Sequence, residues 1–270
     1  MTATTSRPPI VFSHANGFPA GTYRSLFQVW RRAGHAVHAI ERLGHDRRHP
    51  VTSNWPHLRD ELIDFIESEV RAPALLVGHS LGGILSVIVA SRRPDLVRGV
   101  VLLDAPVIAG WRALSLRMVK ASGLIRRISP GHVARRRRQW WPTRQAVREH
   151  LARKAVFARW DPRVLDDYVA CGFVRRERRW TLAFDREVEA RIYETLPHHV
   201  GALLVRHPLR CPLAFIGGRQ SVESRQAGVE ATRRLAGERF VWTEGSHLFP
   251  MEHPQAAARL VLQMIDRLRG

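Results

Sequence analysis

Lysine is almost missing from this chain of 270 residues: only Lys120 and Lys154 are lysines among 43 basic side chains, and the rest are arginine. So one-sided a ratio reads as a coding bias of the genome rather than as a separate task for every arginine. Cysteine is equally scarce. Cys171 and Cys211 are too few for a disulfide framework, which excludes the small stapled folds. No apolar run approaches the ~20 residues that span a bilayer, so no transmembrane helix is expected. The first residues, Met1 to Pro9, lack the apolar stretch of a signal peptide and lead into strand-like Ile10-Val11-Phe12, so a cytoplasmic protein is expected. Acid is in deficit as well, 24 residues against 43 bases, giving a formal net charge of +19. What is present is 45% hydrophobic residues, which excludes a disordered chain and suffices for one large α/β core.

Short apolar runs alternate with amphipathic stretches, the rhythm of a parallel sheet with helical crossovers. Strands are predicted at Pro9–Phe12, Ala36–Ile40, Ala74–Val77, Val97–Leu103, Pro212–Ile216 and Arg239–Thr243. Helices are predicted at Thr22–Arg32, from Trp55-Pro56 behind an Asn54 cap, from Leu81 to about Ser91, at Ser224–Leu235 and at Pro254–Leu268. Between Val107 and Pro208 the rhythm stops. The segments there read as helices rich in Arg and Trp, without a convincing strand. The fold class is therefore α/β, a mostly parallel sheet flanked by helices, with core segments 1–106 and 209–270 and a helical insertion at 107–208.

Gly78-His79-Ser80-Leu81-Gly82 matches G-x-S-x-G directly after a strand and at the head of a helix. A serine held on such a sharp turn stands clear of the sheet, and side chains two residues either side would collide with the turn. The turn also aims the Leu81 backbone N–H at a developing oxyanion. With Ser13-His14-Ala15-Asn16-Gly17-Phe18-Pro19 after the first strand and Gly245-Ser246-His247 after the last, the sequence resembles the α/β-hydrolases along its whole length, with the insertion in the place of that family's cap. Two N-terminal strands that many members carry are missing, so a shorter, all-parallel sheet is expected.

The resemblance implies Ser80 as nucleophile and His247 as general base. His79 should point away from the serine, and His253 before Pro254 reads as the start of a helix. The acid departs from the usual pattern. After Pro212–Ile216, Gln220 or Ser221 stands where an aspartate is expected; Glu223 is close, and Asp104, ending Val97–Leu103, is the alternative and the preferred one. The second oxyanion donor is Phe18 or Asn16, depending on the register of the loop, beside Leu81. The histidines of Gly44-His45-Asp46-Arg47-Arg48-His49-Pro50 read as members of a polar loop, and no metal is expected. No cofactor is implied either.

The positive charge is concentrated. From Ala105 to Lys154 there are 13 basic residues and one acid, Glu149. Trp111, Leu114, Met118, Ile125 and Ile128 fall at helical spacings among these arginines, and Arg135–Arg138 run into Trp140-Trp141. Three readings are open, in this order: a cap whose apolar stripe roofs the active site, an anionic membrane surface as partner of 111–141, and nucleic acid. The expected function is a serine hydrolase of a small-molecule carboxylic ester with an apolar acyl or alkyl group. Carbon–carbon bond hydrolysis or cofactor-free oxidative chemistry uses the same residues, and a non-catalytic membrane-binding protein is the reading from another class.

Overall fold

A computed structural model describes residues 7–269. Strands β1 (Ile10–Ser13), β2 (Val37–Ala39), β3 (Ala74–His79) and β4 (Val97–Leu103) alternate with helices α1 (Arg24–Arg32), α2 (Pro56–Phe65) and α3 (Leu81–Arg92). An insertion follows, carrying α4 (Gly110–Ala121), α5 (Ile125–Ile128), α6 (Gly131–Arg136), β5 (Trp140–Trp141), α7 (Arg144–Ala152), α8 (Ala155–Ala158), α9 (Pro162–Cys171), β6 (Phe173–Arg176), β7 (Arg179–Leu182), α10 (Arg186–Glu194) and α11 (Val200–Arg206). The core resumes with β8 (Leu213–Gly218), α12 (Val222–Ala227), α13 (Glu230–Ala236), β9 (Phe240–Thr243), α14 (Phe249–Glu252) and α15 (Pro254–Arg267).

The main sheet has six strands in the order β2-β1-β3-β4-β8-β9, every neighbouring pair parallel. Parallel strands are buried on both faces, and successive side chains here alternate between two cores. Ile10, Phe12, Leu75, Val77, Val101 and Leu103 pack with α1 and α15, whereas Val11, Leu76, Val100, Leu102 and Phe215 pack with α2, α3 and α13. Each such buried side chain contributes roughly 1.5–3 kcal/mol. Trp30 joins α1 to α15 directly, its indole N–H donating to Ala258 O at 3.1 Å.

The chain leaves β1 in one direction to reach β2, then returns to the other side of β1 for β3. The strand order therefore reverses between β1 and β3, and ligands of open α/β sheets gather at the carboxyl ends of such a pair. The loop after β1 and the turn after β3 meet there.

Several expectations are altered. The insertion is not purely helical: β5, β7 and β6 form a small antiparallel sheet. The helix expected at Ser224–Leu235 breaks into α12 and α13 at Gly228, whose φ is +75°. Asn54 does not cap α2. Its φ is +67°, and its side-chain oxygen accepts from His198 N–H at 3.1 Å and lies 3.4 Å from Lys120 Nζ, so it ties the insertion to the core.

Candidate active site

The turn after β3 is built as its sequence requires. Ser80 has φ +51° and ψ −112°, a conformation that costs a non-glycine residue energy and is held by its surroundings. Its N–H donates to Leu103 O at 3.1 Å and its own carbonyl accepts from Gly83 and Ile84 N–H. A Cβ on Gly78 would overlap the Gly82 carbonyl, and one on Gly82 would overlap the Ser13 carbonyl, so both flanking glycines are sterically enforced. Leu81 opens α3, so its N–H has no partner inside the helix.

His247 follows β9. Its Nδ1–H donates to Asp104 Oδ2 at 2.6 Å, which leaves Nε2 as the lone-pair side of the ring. No hydrogen bond joins Nε2 to the Ser80 hydroxyl in this structure. Asp104 is 1% exposed and sits at φ +45° immediately after β4. Three donors converge on its carboxylate: Gly218 N–H on Oδ1 at 2.8 Å, and Ser221 Oγ–H at 2.5 Å together with His247 on Oδ2. Burial pushes the Asp104 carboxyl up, but His247, Ser221 and Gly218 outweigh it and hold the group below the usual carboxylate range. Burial likewise pulls His247 down, and the adjacent Asp104 carboxylate reverses this, so its net position is above an ordinary imidazole. Of the two carboxylates weighed from sequence, Asp104 meets the imidazole. Glu223 is exposed, and its nearest polar neighbour in this group is the Ser221 hydroxyl at 3.5 Å.

The sequence did not reveal the supports behind these residues. Ser221, standing where an aspartate is commonly placed, instead donates to the aspartate of the neighbouring strand. His79 is fully buried. Its Nε2–H donates to His247 O at 2.9 Å, so its Nδ1 accepts from the Tyr23 hydroxyl at 2.7 Å, and that hydroxyl in turn accepts from Ala15 N–H at 3.2 Å. Burial holds the His79 imidazole down to about 3, so it stays neutral. Glu252 grips the other side of the His247 loop, accepting from Ser246 N–H at 2.8 Å and Ser246 Oγ at 2.7 Å.

The loop after β1 is fixed by a buried histidine. His14 donates from Nδ1 to Ala15 O and accepts from Leu43 N–H at Nε2, both at 2.8 Å, and burial lowers it to about 4. Gly17 at φ +80° lets the chain turn, and Phe18 N–H closes that turn on Ala15 O at 3.1 Å. Asn16 N–H, by contrast, donates to no group among the described residues. The insertion covers this loop from above. Asn16 Nδ2 donates to Glu189 O at 2.9 Å, the Glu189 carboxylate lies against Gly17, and the Phe18 ring packs at 5.4 Å from both Trp160 and Tyr168. Arg137 holds Glu189 in place at 2.6 Å and donates to the Tyr168 hydroxyl at 2.8 Å.

The polar loop at 44–50 divides its histidines. His45 accepts from Asp185 N–H at 2.9 Å, and His49 sits 3.2 Å from Asp64. His253 stands at the start of α15.

The sequence pattern of the alpha/beta hydrolase family matches residues 10–260, and the chain belongs to that family. It is 31% identical over 133 residues to the monoglyceride lipase of Mus musculus, a stretch covering 47% of this chain and 44% of that one. It is 27% identical over 139 residues to a monoacylglycerol lipase of Mycolicibacterium smegmatis, covering 47% and 48%. These matches span less than half the length of either relative. Among solved structures, an E-2-(acetamidomethylene)succinate hydrolase superposes with a TM-score of 0.75 at 21% identity, covering 96% of this chain and 91% of the other, which shows a shared fold.

Proposed function

We propose that this protein is a serine hydrolase of carboxylic esters, with Ser80 as nucleophile, His247 as general base, Asp104 as the orienting acid, and Leu81 and Asn16 backbone N–H groups as the oxyanion hole. The bond from His247 to Asp104, beside a strained serine at the strand-order switch, carries the reading. Nδ1–H pointed at a carboxylate fixes the tautomer in which Nε2 accepts the serine proton. Ser80 Oγ then attacks the ester carbonyl, and the tetrahedral anion forms between Leu81 and Asn16 N–H. The alkoxide leaves with the proton from His247, giving an acyl-enzyme that water, activated by the same histidine, hydrolyses. The engagement of Phe18 N–H within its own turn favours Asn16 as the second donor. No cofactor enters this sequence.

The insertion acts as a cap. Phe18, Trp160 and Tyr168 offer an aromatic wall that suits an apolar acyl or alkyl group, and the relatives named lipases support an ester substrate. For the basic stretch 111–141, exposed aliphatic side chains favour an anionic membrane surface over nucleic acid as partner. Labelling with a fluorophosphonate probe tests the central claim. Wild type should label and Ser80→Ala should not; a folded wild type that resists the probe, or a labelled Ser80→Ala, sinks it.

A further inference from the structure

Helix α4 differs from the core helices in burying nothing. Trp111, Leu114 and Met118 lie on one face of it and are 71%, 58% and 62% exposed. Of the stripe expected to roof the active site, Trp111, Leu114, Met118 and Ile128 therefore face outward, whereas Ile125 is buried. Leu124, Ile128 and Val133, in the segments that follow, are exposed as well. Large apolar side chains exposed together on one helix face mark an interaction site rather than scatter.

Beside this stripe, at Leu114, opens a groove of about 460 Å³ lined by Arg92, Arg117 and Arg206 with His198 and His207, and by no carboxylate. Four acids of the insertion are engaged elsewhere: Glu187 and Glu194 with Arg135, Glu189 with Arg137, Asp166 with Arg148. The three groove arginines have no acid partner among the described residues. Lys120, on the same helix, is not part of this outward charge. Its ammonium donates to Leu196 O at 2.6 Å and to Thr195 O at 3.3 Å, and burial lowers it to about 8, so it moors α4 to the body of the protein. Arg112 moors the other end, 3.3 Å from Glu230.

We infer that α4 is an interfacial helix that seats the protein on an anionic phospholipid bilayer, with Trp111, Leu114 and Met118 in the headgroup–acyl boundary and the Arg92–Arg117–Arg206 groove on a lipid phosphate. The chemistry selects this occupant. Leu114, Met118, Ile128 and Val133 offer nothing to a base or a sugar–phosphate chain, whereas they suit acyl chains. The Arg112 guanidinium lies 4.7 Å over the Trp111 ring, so one face of the only aromatic in the stripe is already covered against base stacking. Arginines lining the groove without a carboxylate partner match a negatively charged leaflet. Among the described residues no helix is long and apolar enough to cross a membrane, so the contact is peripheral.

Sedimentation with phosphatidylcholine vesicles, with and without phosphatidylglycerol, tests this using Ser80→Ala protein, so that vesicle binding stands or falls independently of the esterase reading. Binding is expected on the mixed vesicles and is expected to be weak on phosphatidylcholine alone. Arg117→Gln with Arg206→Gln should weaken it about 25-fold, roughly fivefold for each cation at the surface. Trp111→Ser with Leu114→Ser and Met118→Ser should weaken it at least about tenfold even in low salt, because the apolar area inserted is lost. The same changes on the Ser80 background should leave turnover of a small soluble ester intact, which reports that the variants fold. Equal binding to both vesicle types, full binding by the triple variant, or binding to a single-stranded oligonucleotide in place of vesicles overturns the inference.

Discussion

Replacing Asp104 with asparagine changes one atom in a carboxylate whose three surrounding bonds dictate how the new amide must sit. Gly218 N–H can only donate, and it meets Oδ1 at 2.8 Å, so the amide oxygen is drawn to that side. The amide nitrogen then occupies the place of Oδ2, facing His247 Nδ1 at 2.6 Å and the Ser221 hydroxyl at 2.5 Å. A nitrogen there donates to Nδ1 and places the imidazole proton on Nε2, the atom that should accept the proton of Ser80. The chain folds, yet the base is in the wrong tautomer. The expected loss in kcat is about 10⁴-fold, corresponding to roughly 5 kcal/mol of transition-state stabilisation. Turnover of a short-chain nitrophenyl ester, followed against pH, measures it. In wild type His247 must be neutral to act, and because Asp104 raises it, the acid limb of kcat/KM should lie above the ordinary imidazole value of about 6.5. In Asp104→Asn the carboxylate that chiefly raises the ring is gone while the burial that lowers it remains, so the residual activity should show its limb shifted to lower pH. A loss smaller than tenfold, or a larger loss in Glu223→Gln than in Asp104→Asn, refutes the assignment of the acid.

Gly82→Ala should cost about 3 kcal/mol or more, read from the urea midpoint, because the new methyl meets the Ser13 backbone, which has nowhere to retreat. Ser221→Ala removes one donor from Asp104 and one acceptor from Ser224 N–H; it should lower stability by about 1–3 kcal/mol while kcat falls no more than about tenfold, since His247 keeps its partner. Stability should also fall with acid in a defined window. His14 and His79 are held down to about 4 and about 3, whereas in the unfolded chain each takes a proton near 6.5, so their contribution is complete above that pH and shrinks as pH falls toward the folded values. At pH 5 the two together should remove about 4 kcal/mol, and His14→Gln should flatten this part of the curve; an unchanged profile of unfolding free energy between pH 7 and 5 counts against both assignments.

The elements that sequence reasoning placed well are those whose residues carry a local constraint. Gly99–Leu103 is apolar because both faces of β4 are covered there, and Gly78 and Gly82 are small because backbone lies where a Cβ would go. Features set by distant contacts were not legible. β5 is two residues long, Trp140–Trp141, and the β6–β7 hairpin turns on Glu177 at φ +53° without an Asn-Gly or Asp-Gly signal. Asn54 has the side chain of a helix cap, but a partner 144 residues away, His198, claims its oxygen. The outward turn of Trp111, Leu114 and Met118 was illegible for another reason. Periodicity marks an apolar face without saying which side of the helix meets the protein.

The supports of the candidate site explain why its three loops behave as one object. Ala15 belongs to the loop after β1, His79 to the elbow and His247 to the loop after β9, yet a single hydrogen-bonded chain runs from Ala15 N–H through Tyr23 and His79 to His247 O. Every link is directional. The His247 carbonyl forces the His79 proton onto Nε2, which forces Nδ1 to accept, which commits the Tyr23 proton and leaves its oxygen free for Ala15. Burial keeps His79 neutral, so the order of donors does not reverse across the pH range in which His247 titrates. A charged His79 would present two donors, lose the bond from Tyr23 and set both flanking loops loose. The buried histidine therefore stabilises the position of the base and of the oxyanion loop without touching the reacting atoms, and its depressed basicity is a condition for that role.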